Sequence, residues 1–247
     1  GARRAFDDVN VRGSAGVAAA AHRAGVQRLV YVSSPAVAFV GAPQVGAAAV
    51  GADPTQARSR YARSKAKAEM LMLEADRPGF AVVSVRPHLV WGPGDTQLVE
   101  RIVRRAEAGR LRLVGAGAAL VDTTYVDNAA DAIVAAVDRA EVAHGRALVV
   151  SNGEPRPVAD LLRSMCLASG VDPPTRHVPL GVTKAVGGGA ELLWNALRLR
   201  SDPPMTRFLA EQLGTAHWFD QRLTREILRW EPRVSLDDGL ARLADRR

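Results

Sequence analysis

A tyrosine and a lysine four residues apart, Tyr61 and Lys65, carry the strongest chemical signal in the sequence. On a helix such a pair shares one face, where the ammonium group can lower the pKa of the phenol and prepare it for proton transfer. A hydrophobic run ends at Ser33 and Ser34, and a hydroxyl at the carboxyl end of a strand can lie beside that face. Together these groups suit hydride transfer to or from a carbonyl carbon whose oxygen gains or loses a proton.

The segments around this pair strengthen the signal, because the spacing alone is common on helices. The helix bearing Tyr61 follows the strand that ends at Ser34 and precedes a second hydrophobic strand, which is closed by Arg86 and Pro87. Ligands of open α/β sheets bind where the carboxyl ends of strands meet. We therefore expect the three segments to converge on one crevice.

The alternation of helical and apolar segments predicts an α/β fold. Helices are predicted over residues 10–24, 61–76, 96–108 and 128–139, and buried strands over residues 28–32, 81–85 and 147–150. Residues 111–114 and 120–126 are expected to form a hairpin-like pair. Beyond Asn152, helices separated by short connections predict a smaller, mostly helical lobe after a doubly wound sheet.

Composition and charge favour a globular protein and argue against a nucleic-acid-binding one. The 247 residues are 47% hydrophobic, which predicts a soluble globular chain with a substantial core. The formal net charge is +7, but the arginines are scattered among acidic residues and form no stripe with aromatic residues. We therefore expect no nucleic-acid partner, and we interpret the charge as solvated helix faces; a basic cleft for an anionic cofactor is the alternative.

The single cysteine and the apolar stretches bear on metal binding and location. Cys166 lies on the apolar stripe of a predicted helix, with no metal-ligand spacing nearby, so we expect no metal and a reducing compartment, the cytoplasm. The apolar stretch over residues 178–199 is interrupted by Lys184, Glu191 and three glycines, which argues against a membrane span. Peripheral contact with a membrane surface stays an alternative.

Several motifs, in order along the chain, carry a resemblance to a known family. They are Asn-Val-Arg-Gly-Ser at 10–14, Tyr-Val-Ser-Ser at 31–34, the Tyr61 motif at 61–65, Arg-Pro at 86–87 and Tyr-Val-Asp-Asn-Ala-Ala-Asp-Ala at 125–132. In type and spacing they resemble the extended short-chain dehydrogenase/reductases, the NAD-dependent epimerase/dehydratase superfamily. The stretches at 203–208 and 217–220 are most similar to the 3β-hydroxysteroid dehydrogenase/isomerase branch, and within it to bacterial 2-alkyl-3-oxoalkanoate reductases.

The resemblance implies a fold and a division into domains. The fold is α/β, a partial doubly wound, Rossmann-type parallel sheet that lacks its N-terminal strands, with a smaller, mostly helical C-terminal lobe. Residues 1–91 and 120–152 would be the remnant of a dinucleotide-binding domain. Residues 92–119 and 153–247 would form the substrate-binding lobe.

The resemblance also implies an activity and assigns roles. The activity is that of an NAD(P)-dependent oxidoreductase of steroid or lipid metabolism, which interconverts a hydroxyl and a ketone on a hydrophobic substrate, steroid-like or a 2-alkyl-3-oxoalkanoate. Tyr61 would be the general acid in reduction, Lys65 would lower its pKa and hydrogen-bond the nicotinamide ribose, and Ser34 would hold the substrate oxygen. The cofactor contacts would be Tyr61, Lys65, Pro87 and His88. Relatives further suggest a homodimer through the helix bearing Tyr61.

The part of the fold that holds a dinucleotide is not evident in the sequence. Such a fold begins with a strand, a glycine-rich turn and a helix. The residues before Arg28 supply one helix and no strand, and the glycines at 115–117 and 187–189 lack a strand before or a helix after them. We therefore expect the chain to be a fragment, without the phosphate loop for NAD or NADP and with impaired cofactor binding.

Alternatives remain for the activity and for two residues. A nucleotide-sugar epimerase or dehydratase of the same superfamily would use the same serine, tyrosine and lysine, and a binding or regulatory relative would keep the fold without turnover. His88 has a second interpretation as a packed histidine. Asn10 either organises the site or caps a helix.

Overall fold

The structure, a computed structural model, describes residues 6–197 and 206–245. Residues 203–205, part of the stretch that carries the closer resemblance, lie outside the described residues. So do the first five and last two residues of the predicted domains.

Within the described residues, helices and strands alternate through the first two thirds of the chain. The helices are α1 (Gly13–Arg23), α2 (Arg60–Glu74), α3 (Val99–Glu107), α4 (Val126–Asp138), α5 (Ala140–Ala143), α6 (Val158–Ala168), α7 (Leu180–Ala196), α8 (Arg207–Gly214), α9 (Arg222–Leu228) and α10 (Leu236–Ala244). A π-helical segment, Asp7–Arg12, leads into α1, and a 3-10 helix, Pro35–Ala38, follows the first strand.

The strands are mostly short. They are β1 (Arg28–Val32), β2 (Gln44–Ala47), β3 (Ala81–Pro87), β4 (Val90–Trp91), β5 (Leu113–Val114), β6 (Leu120–Val121), β7 (Thr124–Tyr125), β8 (Ala147–Val150), β9 (Arg156–Pro157), β10 (His177–Val178) and β11 (His217–Phe219). The predicted helices are confirmed, and so are the predicted buried strands β3 and β8, with ends shifted by a few residues. β1 forms where predicted but is only partly buried, because it lies at the edge of the described sheet and Val32 is 45% exposed.

The central sheet is parallel and has the order β1-β3-β8. Val30 of β1 pairs with Val83 of β3, which lies between two strands and is buried on both faces. Because side chains alternate along a strand, Val82 packs against Met72 of α2 while Val83 packs with Ala132 of α4. The sheet is therefore the middle layer of a three-layer α/β arrangement, as the sequence predicts.

The predicted hairpin is wrong. β5 pairs in parallel with β10, and β6 pairs in parallel with β11 and antiparallel with β9. Gly115 and Gly117 have φ values of 61° and 69°, so the expected turn exists. The two strands that it joins find partners much later in the chain, which no local pattern reveals.

A second core lies under the helices that follow the sheet. It joins strand ends to α3, α6 and α10 through the buried residues Trp91, Val99, Ile102, Leu113, Val121, Tyr125, Val158, Leu161, Leu162, Met165, Cys166, Val234 and Leu236. The indole of Trp91 donates to Thr123 Oγ1 (3.0 Å) and meets the ring of Tyr125 edge to face. Cys166 is buried there as predicted, and burial raises the pKa of its thiol.

A buried amide network ties the end of the chain to this core. Asn128, in the first turn of α4, donates from Nδ2 to Asn152 Oδ1 (2.9 Å) and to the carbonyl of Val234 (2.7 Å). Its Oδ1 accepts the backbone N–H groups of Arg233 and Val234. Asn152 Oδ1 also accepts the backbone N–H of Tyr125 (3.0 Å). The network holds a segment that has no regular secondary structure.

Two features are absent from residues 6–197 and 206–245. No helix in those ranges has the length and apolarity to cross a membrane. The same ranges contain no group of three or more His, Cys, Asp and Glu side chains placed to share a metal ion.

A buried ion pair fastens α2 to β3. Glu69 and Arg86 are each 1% exposed, and the guanidinium makes two bonds to the carboxylate, including Nε to Oε2 at 2.8 Å. The hydroxyl of Ser84 donates to Glu69 Oε2 (2.9 Å), and Arg86 donates to the carbonyl of Val50 (2.7 Å). Burial raises the pKa of Glu69, but the bonds and charge of Arg86 prevail and hold it below its ordinary value.

Replacing Arg86 with methionine should lower the free energy of unfolding by about 3–5 kcal/mol, because the Glu69 carboxylate would stay buried without a positively charged partner. Urea denaturation at pH 7.5 measures this loss. The matched control, Arg104→Met, removes an exposed ion pair with Glu100 on α3 and should cost less than about 1 kcal/mol. Equal losses for the two variants would contradict the anchoring role of the buried pair.

Candidate active site

The first turn of α2 carries Tyr61. Ser59 caps the helix, and its hydroxyl accepts the backbone N–H of Ala62 (3.0 Å). Ala62 and Ala66 are completely buried, which fixes the inner face of α2, while Tyr61 remains 42% exposed. A phenol in this position is anchored by its helix and can still reach a bound molecule.

Ser34 lies beside the Tyr61 phenol. It caps the 3-10 helix after β1, where its Oγ accepts the backbone N–H of Ala36 (3.3 Å). Burial raises the pKa of Tyr61, and the hydrogen bond with Ser34 opposes that rise in part. The phenol is therefore protonated at neutral pH and can act as a proton donor.

Lys65 lies one turn further along α2, with its ammonium group at the end of β1. Nζ donates to the carbonyl of Val32 (2.7 Å) and lies 4.3 Å from the ring centroid of Tyr31. Burial lowers the pKa of Lys65, and the negative charge of Glu69 opposes that change. The structure thus places the ammonium group of Lys65 at the carboxyl end of β1, and its effect on the pKa of Tyr61 stays a prediction.

Asn10 braces the helix that carries these groups. It lies in the π-helical segment, and its Nδ2 donates to Ser64 Oγ (2.9 Å). Ser64 in turn donates to the carbonyl of Tyr61 (2.9 Å). The side chain of Asn10 therefore bridges two helices and does not cap the helix in which it lies.

Pro87 and His88 lie at the carboxyl end of β3, on the same edge of the sheet as Ser34. The backbone N–H of His88 donates to the carbonyl of Val150 (2.9 Å), and Thr124 Oγ1 donates to the carbonyl of His88 (2.7 Å). Leu89 follows with φ 43°, an uncommon conformation for a residue with a side chain. This segment is held in a defined shape by its neighbours.

The sequence did not reveal the partner of His88. His88 Nε2 lies 2.8 Å from His217 Nδ1, and His217 Nε2 lies 2.7 Å from the carbonyl oxygen of Gln212. Both rings are buried, and burial lowers the pKa of each imidazole, for His88 with a further contribution from His217. The Nε2 side of the His88 ring is therefore packed inside the protein, as the second interpretation of this residue predicts. A cofactor contact through its other atoms remains a prediction.

The described residues fit one end of a nicotinamide dinucleotide. Lys65 uses one of its three N–H donors on Val32, so two remain for a ribose hydroxyl, and Pro87 and His88 bring backbone to the same edge of the sheet. The glycine-rich loop that would hold a pyrophosphate is not found within residues 6–27, which form helices up to the turn before β1.

Comparisons with known proteins identify relatives along most of the chain. Residues 2–180 match the 3-beta hydroxysteroid dehydrogenase/isomerase family. The chain is 41% identical to the 2-alkyl-3-oxoalkanoate reductase of Stenotrophomonas maltophilia over 98% of its length and 75% of the relative, and 36% identical to that of Shewanella oneidensis over 98% and 66%. Among solved structures, the dTDP-glucose 4,6-dehydratase of Bacillus anthracis in complex with NAD has a TM-score of 0.68 and 18% identity, covering 97% of this chain and 68% of that one.

The two buried imidazoles should make stability fall in mild acid. Their folded pKa values lie below the ordinary 6.5, so below pH 6.5 the unfolded chain binds protons that the folded chain does not. Between pH 7.5 and 5.5 we expect a loss of about 1 kcal/mol in the free energy of unfolding for each imidazole that stays neutral. Urea denaturation across this range tests it.

The matched control is a double variant, His88→Leu with His217→Leu, which removes both rings. Its stability should depend less on pH than that of the unmodified protein, and the difference isolates the two imidazoles from other titrating groups. Identical profiles for the two proteins would contradict the neutral state of the pair.

Proposed function

The chain belongs to the 3-beta hydroxysteroid dehydrogenase/isomerase family, and on that premise we propose that it is an NAD(P)-dependent oxidoreductase that interconverts a hydroxyl and a ketone. The substrate we propose is hydrophobic, either a 2-alkyl-3-oxoalkanoate or a 3β-hydroxysteroid-like molecule. Two relatives are named for reduction of the first class, and the family model is named for the second.

One observation carries this proposal: the protonated phenol of Tyr61 lies beside Ser34 at the edge of the sheet where ligands of such folds bind. Lys65 lies on the same helix face, with its ammonium group at the end of β1. A hydroxyl, a phenol and an ammonium group at one edge suit a reaction in which charge develops on a carbonyl oxygen.

In the reductive direction, Tyr61 donates its proton to the substrate carbonyl oxygen as that oxygen gains negative charge. Ser34 donates a hydrogen bond to the same oxygen and holds it at the phenol. The nicotinamide cofactor, when bound, supplies the hydride for the carbonyl carbon. Lys65 stabilises the phenolate that Tyr61 becomes, because a nearby cation favours the ionised form. In the oxidative direction the phenolate accepts the proton of the substrate hydroxyl.

The cofactor contacts that we propose are Tyr61, Lys65, Pro87 and His88, at the nicotinamide and its ribose. A solved structure of the same fold contains NAD, which supports a nicotinamide cofactor in general. Whether this chain uses NAD or NADP is a matter for measurement with both.

We propose that the chain divides into two domains. Residues 1–91 and 120–152 contribute the parallel sheet and would hold the cofactor, and residues 92–119 and 153–247 would hold the substrate. Within the second group, Val182, Val186 and Leu193 of α7 are more than half exposed. Such a surface supports binding of an apolar molecule or peripheral contact with a membrane.

We also propose a homodimer and a cytoplasmic location. The partly exposed Met70 on α2 supports a homodimer through that helix, and the buried Cys166 is consistent with the cytoplasm.

Tyr61→Phe should lower the turnover number for ketone reduction by about 10²–10⁴-fold, because it removes the proton donor and keeps the ring. The assay uses the enzyme expressed from its full reading frame, with NADH and NADPH and a 2-alkyl-3-oxoalkanoate or a 3-ketosteroid. The matched control is Tyr125→Phe, which removes the hydroxyl from a ring packed against Trp91 and should retain most of the activity. Equal rates for Tyr61→Phe and the unmodified enzyme would remove the role assigned to Tyr61.

A further inference from the structure

A chain of two imidazoles connects the helical part of the molecule to the carboxyl end of β3. It begins at the carbonyl of Gln212 in the last turn of α8, passes through His217 in β11 and ends at His88. His88 and His217 are 6% and 2% exposed. The ring of His88 also meets Phe219 edge to face at 5.0 Å, so one side of the imidazole is packed by β11.

The direction of the hydrogen bonds follows from the chemistry of their ends. A carbonyl oxygen can only accept, so His217 Nε2 must carry a proton. In a neutral imidazole the other nitrogen is then a bare acceptor, so His217 Nδ1 accepts a proton donated by His88 Nε2. By the same rule, His88 Nδ1 is left without a proton. One backbone carbonyl therefore sets the tautomers of both residues.

The backbone of His88 is held as firmly as its ring. Its N–H binds the carbonyl of Val150 and its carbonyl accepts the hydroxyl of Thr124, before the chain turns through the positive φ of Leu89. The ring is held by the hydrogen bond with His217 and the edge-to-face contact with Phe219. Loss of His217 would therefore free the imidazole to rotate or change tautomer while the backbone of this segment stays in place.

We propose that His217 is a positioning residue for the site: it fixes the ring of His88 as the Nε2–H tautomer and presents the bare Nδ1 as an acceptor at the carboxyl end of β3. An acceptor at this place suits an N–H donor, such as the carboxamide group of a nicotinamide ring. The inference rests on the proposed function, because the cofactor contact of His88 is part of it. It adds a residue 129 positions away that the motif at 86–88 does not include.

The first test reads the tautomers directly, without cofactor or substrate. Long-range proton–nitrogen correlation spectra of the chain, assigned with His88→Gln and His217→Gln, should show Nε2 protonated and Nδ1 bare in both residues between pH 7.5 and 5.5. His217→Leu should convert His88 to a mixture of tautomers. A proton on Nδ1 of either residue in the unmodified protein would overturn the proposal.

The second test measures cofactor binding by the enzyme expressed from its full reading frame, with NADH and NADPH as probes. His217→Leu should weaken binding about tenfold, the size of one lost hydrogen bond. His217→Asn places an amide oxygen where Nδ1 lies, keeps the acceptor for His88 and should stay within about threefold of the unmodified enzyme. Ile227→Ala, a core change on α9, is the control for lost stability alone.

The outcomes separate this inference from the proposed function. Equal weakening by His217→Leu and Ile227→Ala would show a structural role only and overturn the positioning role. Tyr61→Phe should lose turnover while it keeps both tautomers. If the unmodified enzyme bound neither cofactor, the proposed function would fail and the cofactor part of this inference with it.

Discussion

The buried ion pair of Glu69 and Arg86 is the constraint on which the arrangement of the site depends. Removal of two charges from water is costly, and the cost is offset only if nearly every donor and acceptor is satisfied. Arg86, Ser84 and the carbonyl of Val50 meet that condition here. These bonds require α2 to have one particular rotation about its axis and one particular position along β3. Lys65 and Tyr61 lie one and two turns earlier on the same helix, so the pair fixes their distance from the strand ends.

Around that anchor, groups of the site are held by backbone rather than by each other. The ammonium group of Lys65 binds the carbonyl of Val32, Asn10 reaches the carbonyl of Tyr61 through Ser64, and Thr124 binds the carbonyl of His88. Backbone groups of a packed sheet and helix move little. A site held in this way is organised before a ligand arrives, which is the condition for effective stabilisation of a developing charge.

The sequence predicted the parts of the site that depend on local pattern. Tyr61 and Lys65 share a helix face because they are four residues apart, and β1 and β3 are short apolar runs between turns. The sequence did not predict the contacts that these side chains make with residues far away along the chain. Spacing gives the face of Lys65 but not its rotamer, which directs the ammonium group to Val32. The partner of His88 lies far along the chain in β11, and β5 and β6 pair with late strands instead of each other. These contacts depend on tertiary packing. The local sequence around one residue does not show which distant residue it will contact.

The amide network around Asn128 has a consequence for the order of folding. The contacts of Asn128 with Arg233 and Val234 join residues more than one hundred positions apart, so they form only after much of the chain has lost its conformational freedom. During synthesis, Asn128 and Asn152 can bond to each other, but their bonds to the carbonyl of Val234 form only after that segment leaves the ribosome. The first turn of α4 and the end of β8 therefore complete their packing last, and closure of this core is coupled to arrival of the C-terminal segment.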